Sequence, residues 1–232
     1  MLKLSVNILT WNTFKTLKKT IENLTVDLKP IDHEIIIVDN GSNDGCQELA
    51  TIKNKENLGI SKGKNQGIEA SKGEYILLLD GDIVAVPNSV NCLLEYMENH
   101  KDIDALGFLP DKFGNQKNDY GLQKYCSVLD PVIEHKGHCI YYGMYRRTVF
   151  ERGVRMDEEY GVGYGWEDLD SYMQMEKLGI KQYAAGINSL TGKYYHEVNS
   201  SIRQMGFEFY MSTSLRRSQL FKRKWEGVNA YA

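Results

Sequence analysis

Four groups of residues in the 232-residue chain are of types and spacings that could carry chemistry. Asp80-Gly-Asp82 directly follows the apolar run Tyr75–Leu79, so two acids stand one glycine apart where a buried strand reaches its end. Paired carboxylates there repel each other unless a cation or a hydrogen-bond donor neutralises them. A divalent metal, Mn2+ or Mg2+, that also holds a diphosphate is one solution; a solvated Asp-Gly turn is the plainer one. Asp39 ends a second apolar run and should emerge at the same sheet edge, either to accept a nucleobase N–H or to cap the turn Asn40–Gly45. Glu167, Asp168 and Asp170 follow a lead-in rich in glycine and aromatics, Tyr160 to Trp166. Acids in a helix's first turn are favoured by its dipole. That lead-in also suits a mobile loop beside a sugar ring, with a stacking surface and a carboxylate aimed at a hydroxyl. The last group is His196, beside Tyr194 and Tyr195, which reads either as a packed imidazole or as a metal ligand.

The elements that must position these residues follow from the hydrophobic pattern. Leu4–Leu9 alternates and predicts a strand, ended by Thr10-Trp-Asn-Thr13, whose Thr and Asn residues can cap a helix carrying Leu17, Ile21 and Leu24. Glu34–Asp39 is almost continuously apolar and β-branched, as a central strand covered on both faces should be. A short strand is expected near Thr51–Lys53, a helix that stops at Gly73, a buried strand at Tyr75–Leu79, and a helix capped by Asn88. Beyond residue 100 the pattern loosens, with a polar excursion at 111–125, short pieces near Tyr142 and Phe150, and an amphipathic helix from Leu169 to Leu178. Strands alternating with helices argue an α/β fold with a mainly parallel sheet. The Gly161–Gly165 run lacks a preceding strand and the spacing of a dinucleotide fingerprint, which excludes that motif.

Composition sets the remaining bounds. Hydrophobic residues make 42% of the chain and charged ones 25%, with net charge -3, which excludes a disordered polyelectrolyte. Four scattered cysteines without a CxxC pair give no disulfide scaffold or zinc site. The apolar runs fall far short of the roughly 20 residues needed to cross a bilayer, and the first strand is interrupted by Ser5 and Asn7 too early for a leader. A soluble, cytoplasmic protein is expected. Residues 201–232 carry six basic and two acidic side chains, so the segment 215–225 reads as a solvated helix face packing Leu215, Leu220, Phe221 and Trp225, or as a peripheral contact with an anionic membrane or other polyanion.

Taken together, these residues resemble family 2 glycosyltransferases of the GT-A fold over most of residues 3–200. Ser5–Asn12 looks like the first strand and donor loop, Ile37–Gly45 like the nucleotide-binding turn, and Asn57-Leu-Gly59 with Gly63–Gly67 like the second donor segment. Asp80-Gly-Asp82 stands where the family has its DxD motif, and Gly165–Asp170 resembles the segment of the catalytic acids; its Gly-Trp-Glu-Asp stretch is also similar to a β1,4-galactosyltransferase motif. The resemblance implies one Rossmann-like GT-A domain over residues 1–200, with a nucleotide-sugar half (1–105), an acceptor half (106–200) and a basic helical tail (201–232). It implies an inverting enzyme moving a sugar from a nucleotide diphosphate sugar, of UDP type, to a glycan, lipid-linked, protein or other hydroxyl acceptor. Donor contacts would come from Thr10, Asn12, Asp39, Asn57, Gly59, Lys64, Asn65, Asp80, Gly81 and Trp166. Asp82, Asp80 and His196 would hold the metal, Asp168 would be the general base and Glu167 would orient the acceptor. Lys64-Asn65 departs from the Arg-Asn pair of many relatives, which removes a bidentate fork toward the diphosphate. A sugar nucleotidyltransferase would show a glycine-rich loop with Arg and Lys after the first strand, which Thr10–Phe14 is not. A non-catalytic binding module on the same fold is disfavoured by the intact acids.

Overall fold

A computed structural model describes residues 2–84, 88–108, 132–134, 142–185, 195–196 and 204–227. Strands β1 (Leu4–Thr10), β2 (His33–Asp39) and β4 (Tyr75–Asp80) form the centre of an eight-stranded sheet, β1 pairing in parallel with the other two. On one side β3 (Ile52–Lys53) extends β2; on the other follow β8 (Tyr142–Arg146), β6 (Ala105–Phe108), β9 (Gln182–Ala185) and β7 (Val132–Glu134), in that order. Only β8 and β7 run against the rest. A two-stranded ribbon pairs β5 (Ile83–Val84) with β10 (Tyr195–His196). The helices are α1 (Phe14–Asp27), α2 (Cys46–Leu49), α3 (Ile60–Ala70), α4 (Ser89–Asn99), α5 (Arg147–Glu151), α6 (Glu167–Lys177) and α7 (Phe207–Lys224).

The period-two alternation of a strand explains how β4 is covered on both faces. Tyr75, Leu77 and Leu79 join Val6 and Ile8 of β1, Leu17 and Leu24 of α1, and Leu93 and Met97 of α4. Ile76 and Leu78 point to the other face, against Ile68 of α3, Val149 and Phe150 of α5, and Met175 of α6. The register then sets the site: Thr10 lies opposite Asp39, and Leu9 opposite Asp80, so three strands end together. Ligands of open α/β sheets collect at this edge.

Local capping differs from the sequence expectation. Thr13 occupies the N-cap of α1 without capping it; its hydroxyl bonds the Thr10 hydroxyl at 2.7 Å, and Asp44 takes the Phe14 N–H instead. Asn88 likewise makes no side-chain cap on α4: its Oδ1 accepts the Asn91 side-chain amide, and Asp27 at the end of α1 accepts the Asn88 backbone N–H at 2.6 Å. The helix expected to stop at Gly73 ends at Ala70. The excursion 111–125, Cys126, His135, His138 and Cys139 lie outside the described residues. Cys46 and Cys92 are free thiols. Among the described residues no helix is long and apolar enough to cross a membrane.

The C-terminal helix α7 is docked, not free. Phe221 is buried with Tyr160, Tyr172 and Met173, and Leu220, Trp225, Trp166 and Leu169 pack on them. Leu215, expected to pack there, is 63% exposed, and Phe207 and Met211 on the same outer stripe are exposed too. Lys224 pairs with Asp157 at 2.9 Å and Asp170 at 2.8 Å.

Candidate active site

A cleft opens where β1 and β4 end, and α6 closes it from the opposite side. Thr10, Asp80, Gly81 and Asp82 form the strand wall. Asp80 ends β4, and the Gly81 N–H donates to the Leu9 carbonyl at 2.7 Å, which turns the chain so that Asp82 also faces the cleft. Asn57, Gly59 and Lys64 form the second wall. Gly59 has φ +89°, and a Cβ there would stand 2.4 Å from the Gly161 carbonyl, so only glycine lets these two backbones touch. Gly163, Tyr164, Glu167 and Asp168 form the third wall.

Charge is concentrated in this space. The Lys64 ammonium is buried and lies 3.1 Å from Asp80 Oδ1. Burial opposes its charge, but Asp80 and Asp168 outweigh that and hold it above the usual lysine range. Burial raises the Asp80 carboxyl, Lys64 opposes the rise, and Asp82 and Asp168 add to it. Glu167, 2% exposed, is pushed up to about 7 by burial and by Asp168, against the pull of Arg217. Asp82 and Asp168 thus both act on Asp80 beside the Lys64 ammonium, which concentrates carboxylate charge at this end of the cleft. Among the described residues no three His, Cys, Asp or Glu groups stand close enough to hold an ion by themselves. The backbone of His196 pairs with Ile83, one residue from Asp82; its side chain lies outside the described residues.

Other expected contacts are placed at the margin or behind the cleft. The buried Asp39 carboxylate accepts the Ser42 N–H at 3.2 Å, so it caps the turn that follows β2. Asn12, at φ +53°, receives the Asn43 N–H on Oδ1 and gives its own N–H to Ser42 Oγ, tying two turns together outside the cleft lining. Asn65 faces away: Nδ2 donates to the Met156 carbonyl at 2.8 Å and Oδ1 accepts the Met156 N–H at 3.1 Å. Trp166 does not line the cleft, because its ring packs on Phe221 with centroids 5.4 Å apart. Tyr164 takes the position at the mouth instead.

Two contributors had no assigned role from sequence. Asn40 holds the second donor segment: Nδ2 donates to Asn57 Oδ1 and the Gly59 carbonyl, and Oδ1 accepts the Leu58 N–H. Its place in a turn cluster was the only signal. Arg217 of α7 is fully buried and donates to Glu167 Oε2 at 2.8 Å. Nothing in the basic run 215–224 distinguishes it from its neighbours.

Strand order, a diacid at the end of β4 and an acid pair opening α6 describe one arrangement, and the comparison with known families agrees. Residues 5–157 match the model of Glycosyl transferase family 2. The chain belongs to this family. Among curated relatives it is similar to the poly(ribitol-phosphate) beta-N-acetylglucosaminyltransferase TarP of Staphylococcus aureus, 34% identical over 116 residues, or 44% of this chain and 36% of that protein. The chain spans 43% and 36% of the lengths of the first two curated relatives it matches. Among solved structures it is similar to S. aureus TarS in complex with UDP-GlcNAc (TM-score 0.60, 16% identity, 83% of this chain and 58% of that one). It is also similar to the mannosyltransferase PcManGT of Pyrobaculum calidifontis in complex with GDP-Man and Mn2+ (TM-score 0.60, 14% identity, 93% and 64%). These likenesses establish the GT-A fold for the family 2 chain.

Proposed function

We propose that this family 2 chain transfers a sugar from a nucleotide diphosphate sugar, of the UDP class, to an acceptor hydroxyl with inversion at the anomeric carbon. The observation that carries the reading is the convergence of Asp80 and Asp82 on one wall with Glu167 and Asp168 on the facing wall of a single cleft. That arrangement leaves room for a donor between a diphosphate-binding side and a proton-accepting side. The complexes of TarS with UDP-GlcNAc and of PcManGT with GDP-Man support a nucleotide sugar in a fold of this kind.

Asp168 takes the proton from the acceptor hydroxyl as its oxygen attacks the anomeric carbon. The bond from that carbon to the diphosphate oxygen breaks, and the nucleoside diphosphate leaves. General base catalysis of this sort is typically worth about 10²–10⁴-fold. Glu167 orients the acceptor beside Asp168, and Tyr164 covers the mouth of the cleft. Lys64, set on Asp80, keeps positive charge at the floor where the departing diphosphate would lie. Asp82, with Asp80 and His196, would hold a divalent cation that neutralises the leaving group; mixed carboxylate and imidazole ligation suits Mn2+. The Gly165–Asp168 stretch, similar to a β1,4-galactosyltransferase motif, would then carry both acceptor-side acids.

Asp168→Asn tests the assignment, with UDP binding measured by calorimetry with and without EDTA. Transfer is expected to fall by about 10²–10⁴-fold while UDP binds as in the wild type, and EDTA is expected to weaken that binding. Wild-type turnover in Asp168→Asn would remove the base, and chelator-independent binding would remove the metal.

A further inference from the structure

Arg217 is the only fully buried arginine on a helix whose other basic residues, Arg216, Lys222, Arg223 and Lys224, reach the surface. Its guanidinium makes four hydrogen bonds. Nε donates to the Tyr160 carbonyl at 3.0 Å and Nη2 to the Gly161 carbonyl at 2.8 Å. Nη1 donates both to the Gly165 carbonyl and to Glu167 Oε2, each at 2.8 Å. The loop is therefore pinned at both ends, and the carboxylate that follows it is pinned by the same group. Between the pins, Gly163 and Tyr164 turn into the cleft.

Both sides of this loop are closely packed, against side chains of the helix on one and against backbone on the other. A Cβ on Gly163, at φ +143°, would stand 2.9 Å from Thr213 and 3.1 Å from Arg217 Nε. On the far side the Gly161 carbonyl abuts Gly59 of the donor segment. A buried ion pair is a poor stabiliser in itself, since desolvation offsets much of the attraction. The helix also has a second anchor, Lys224 on Asp157 and Asp170, none of which lines the cleft. Arg216 adds one bond to the Tyr160 carbonyl at 2.9 Å. Among the described residues of this helix, however, Arg217 alone joins the loop to Glu167, and a planar fork is the one side chain able to serve three carbonyls and a carboxylate from one place.

Resting on the reading of Asp168 and Glu167 given above, we propose that Arg217 is a positioning residue for sugar transfer: acting from the C-terminal helix, it sets Glu167 and the loop Tyr160–Gly165 as one fixed wall of the cleft. The two adjacent acids explain the need. Burial and Asp168 both disfavour charge on Glu167, and Arg217 is the group opposing them most. Without it, Glu167 and the loop lose their common support while the strand wall and Lys64 stay in place.

The test compares Arg217→Lys with Lys224→Met, reading kcat, UDP affinity, melting temperature and amide exchange at residues 160–165. Lysine keeps the charge but cannot reach all four acceptors. A misplacement of about 1 Å costs on the order of 10²-fold in rate, so Arg217→Lys is expected to lose about that much kcat. UDP affinity should stay within about threefold by the same reasoning, and loop amides should exchange faster. Lys224→Met should lower the melting temperature with kcat and loop exchange unchanged. Thr213→Leu, which forces the helix from Gly163 without removing a charge, should give the same exchange signature with a smaller kcat loss; it stands in if Arg217→Lys does not fold. Wild-type kcat in Arg217→Lys and Thr213→Leu, or an equal kcat loss in Lys224→Met, would overturn the proposal. Loop exchange does not depend on the base, so an active Asp168→Asn would sink the base assignment alone.

Discussion

Glu167 has a like charge beside it in sequence and an opposite charge 2.8 Å away in space, at 2% exposure. Its carboxyl rises from 4.5 to about 7, with burial first and Asp168 second among the causes. The folded state therefore favours the protonated form. That contribution to stability is complete below pH 4.5 and is lost as pH rises through 7. Activity has the opposite sign, because only ionised Glu167 forms the full pair with Arg217. We expect kcat to climb across an acid limb centred near pH 7, and Glu167→Gln to be slower but flat there. A pH–rate profile from 5.5 to 8.5 checks this; a limb that survives in Glu167→Gln belongs to another group. At this scale the positions legible in the sequence are those where a residue's type is tied to the end of an element. Asp80, Asp82, Glu167 and Asp168 all line the cleft. Where a side chain had two uses, the structure shows a structural one: Asp39 caps its turn, one of the two readings open for it, and Asn12 and Asn65 bond backbone groups.

Asn65 shows what elements ask of one another. It is a buried amide on α3 that satisfies both the N–H and the carbonyl of Met156, with Glu158 as a third partner at 2.9 Å. It thus fastens the nucleotide-side helix to the segment leading into the glycine-rich loop. Asn65→Ala leaves the Met156 groups buried without partners, at about 1–3 kcal/mol each. We expect a loss of roughly 2–4 kcal/mol in urea unfolding, with UDP affinity little changed, because the side chain faces away from the cleft. Loss of UDP binding without loss of stability would instead restore Asn65 as a donor contact. The elements themselves were legible because β2 and β4 carry near-continuous apolar runs and β1 alternates apolar with small polar residues, with most of the three strands buried. Caps were not, because Thr13 and Asn88 compete with acids far away in sequence, Asp44 and Asp27. No local pattern reports that competition.

The C-terminal segment was legible in part: Leu220, Phe221 and Trp225 pack on the body as expected, whereas Leu215 is exposed. A run of six cations in residues 201–232 looks like a surface feature, and three of them, Arg216, Lys222 and Arg223, do lie outward. Yet Arg217 reaches Glu167 and Lys224 reaches Asp157 and Asp170, while Phe221 fills an apolar cluster with Tyr160 and Tyr172. The helix backs one wall of the candidate site as well as carrying charge, because one fully buried guanidinium spans 50 residues of sequence to meet its carboxylate. Truncation at Gly206 should therefore do more than change any attraction to anionic surfaces. It strips Glu167 and Asp170 of their cations at once, and leaving a buried charge unpaired costs about 3–5 kcal/mol. We expect the truncated chain to melt at lower temperature and to lose transfer, even with acceptors free in solution. An acceptor presented on anionic vesicles would then give no rescue. Full transfer to a soluble acceptor by the truncated chain would show that the GT-A core suffices and that α7 serves only its outer face.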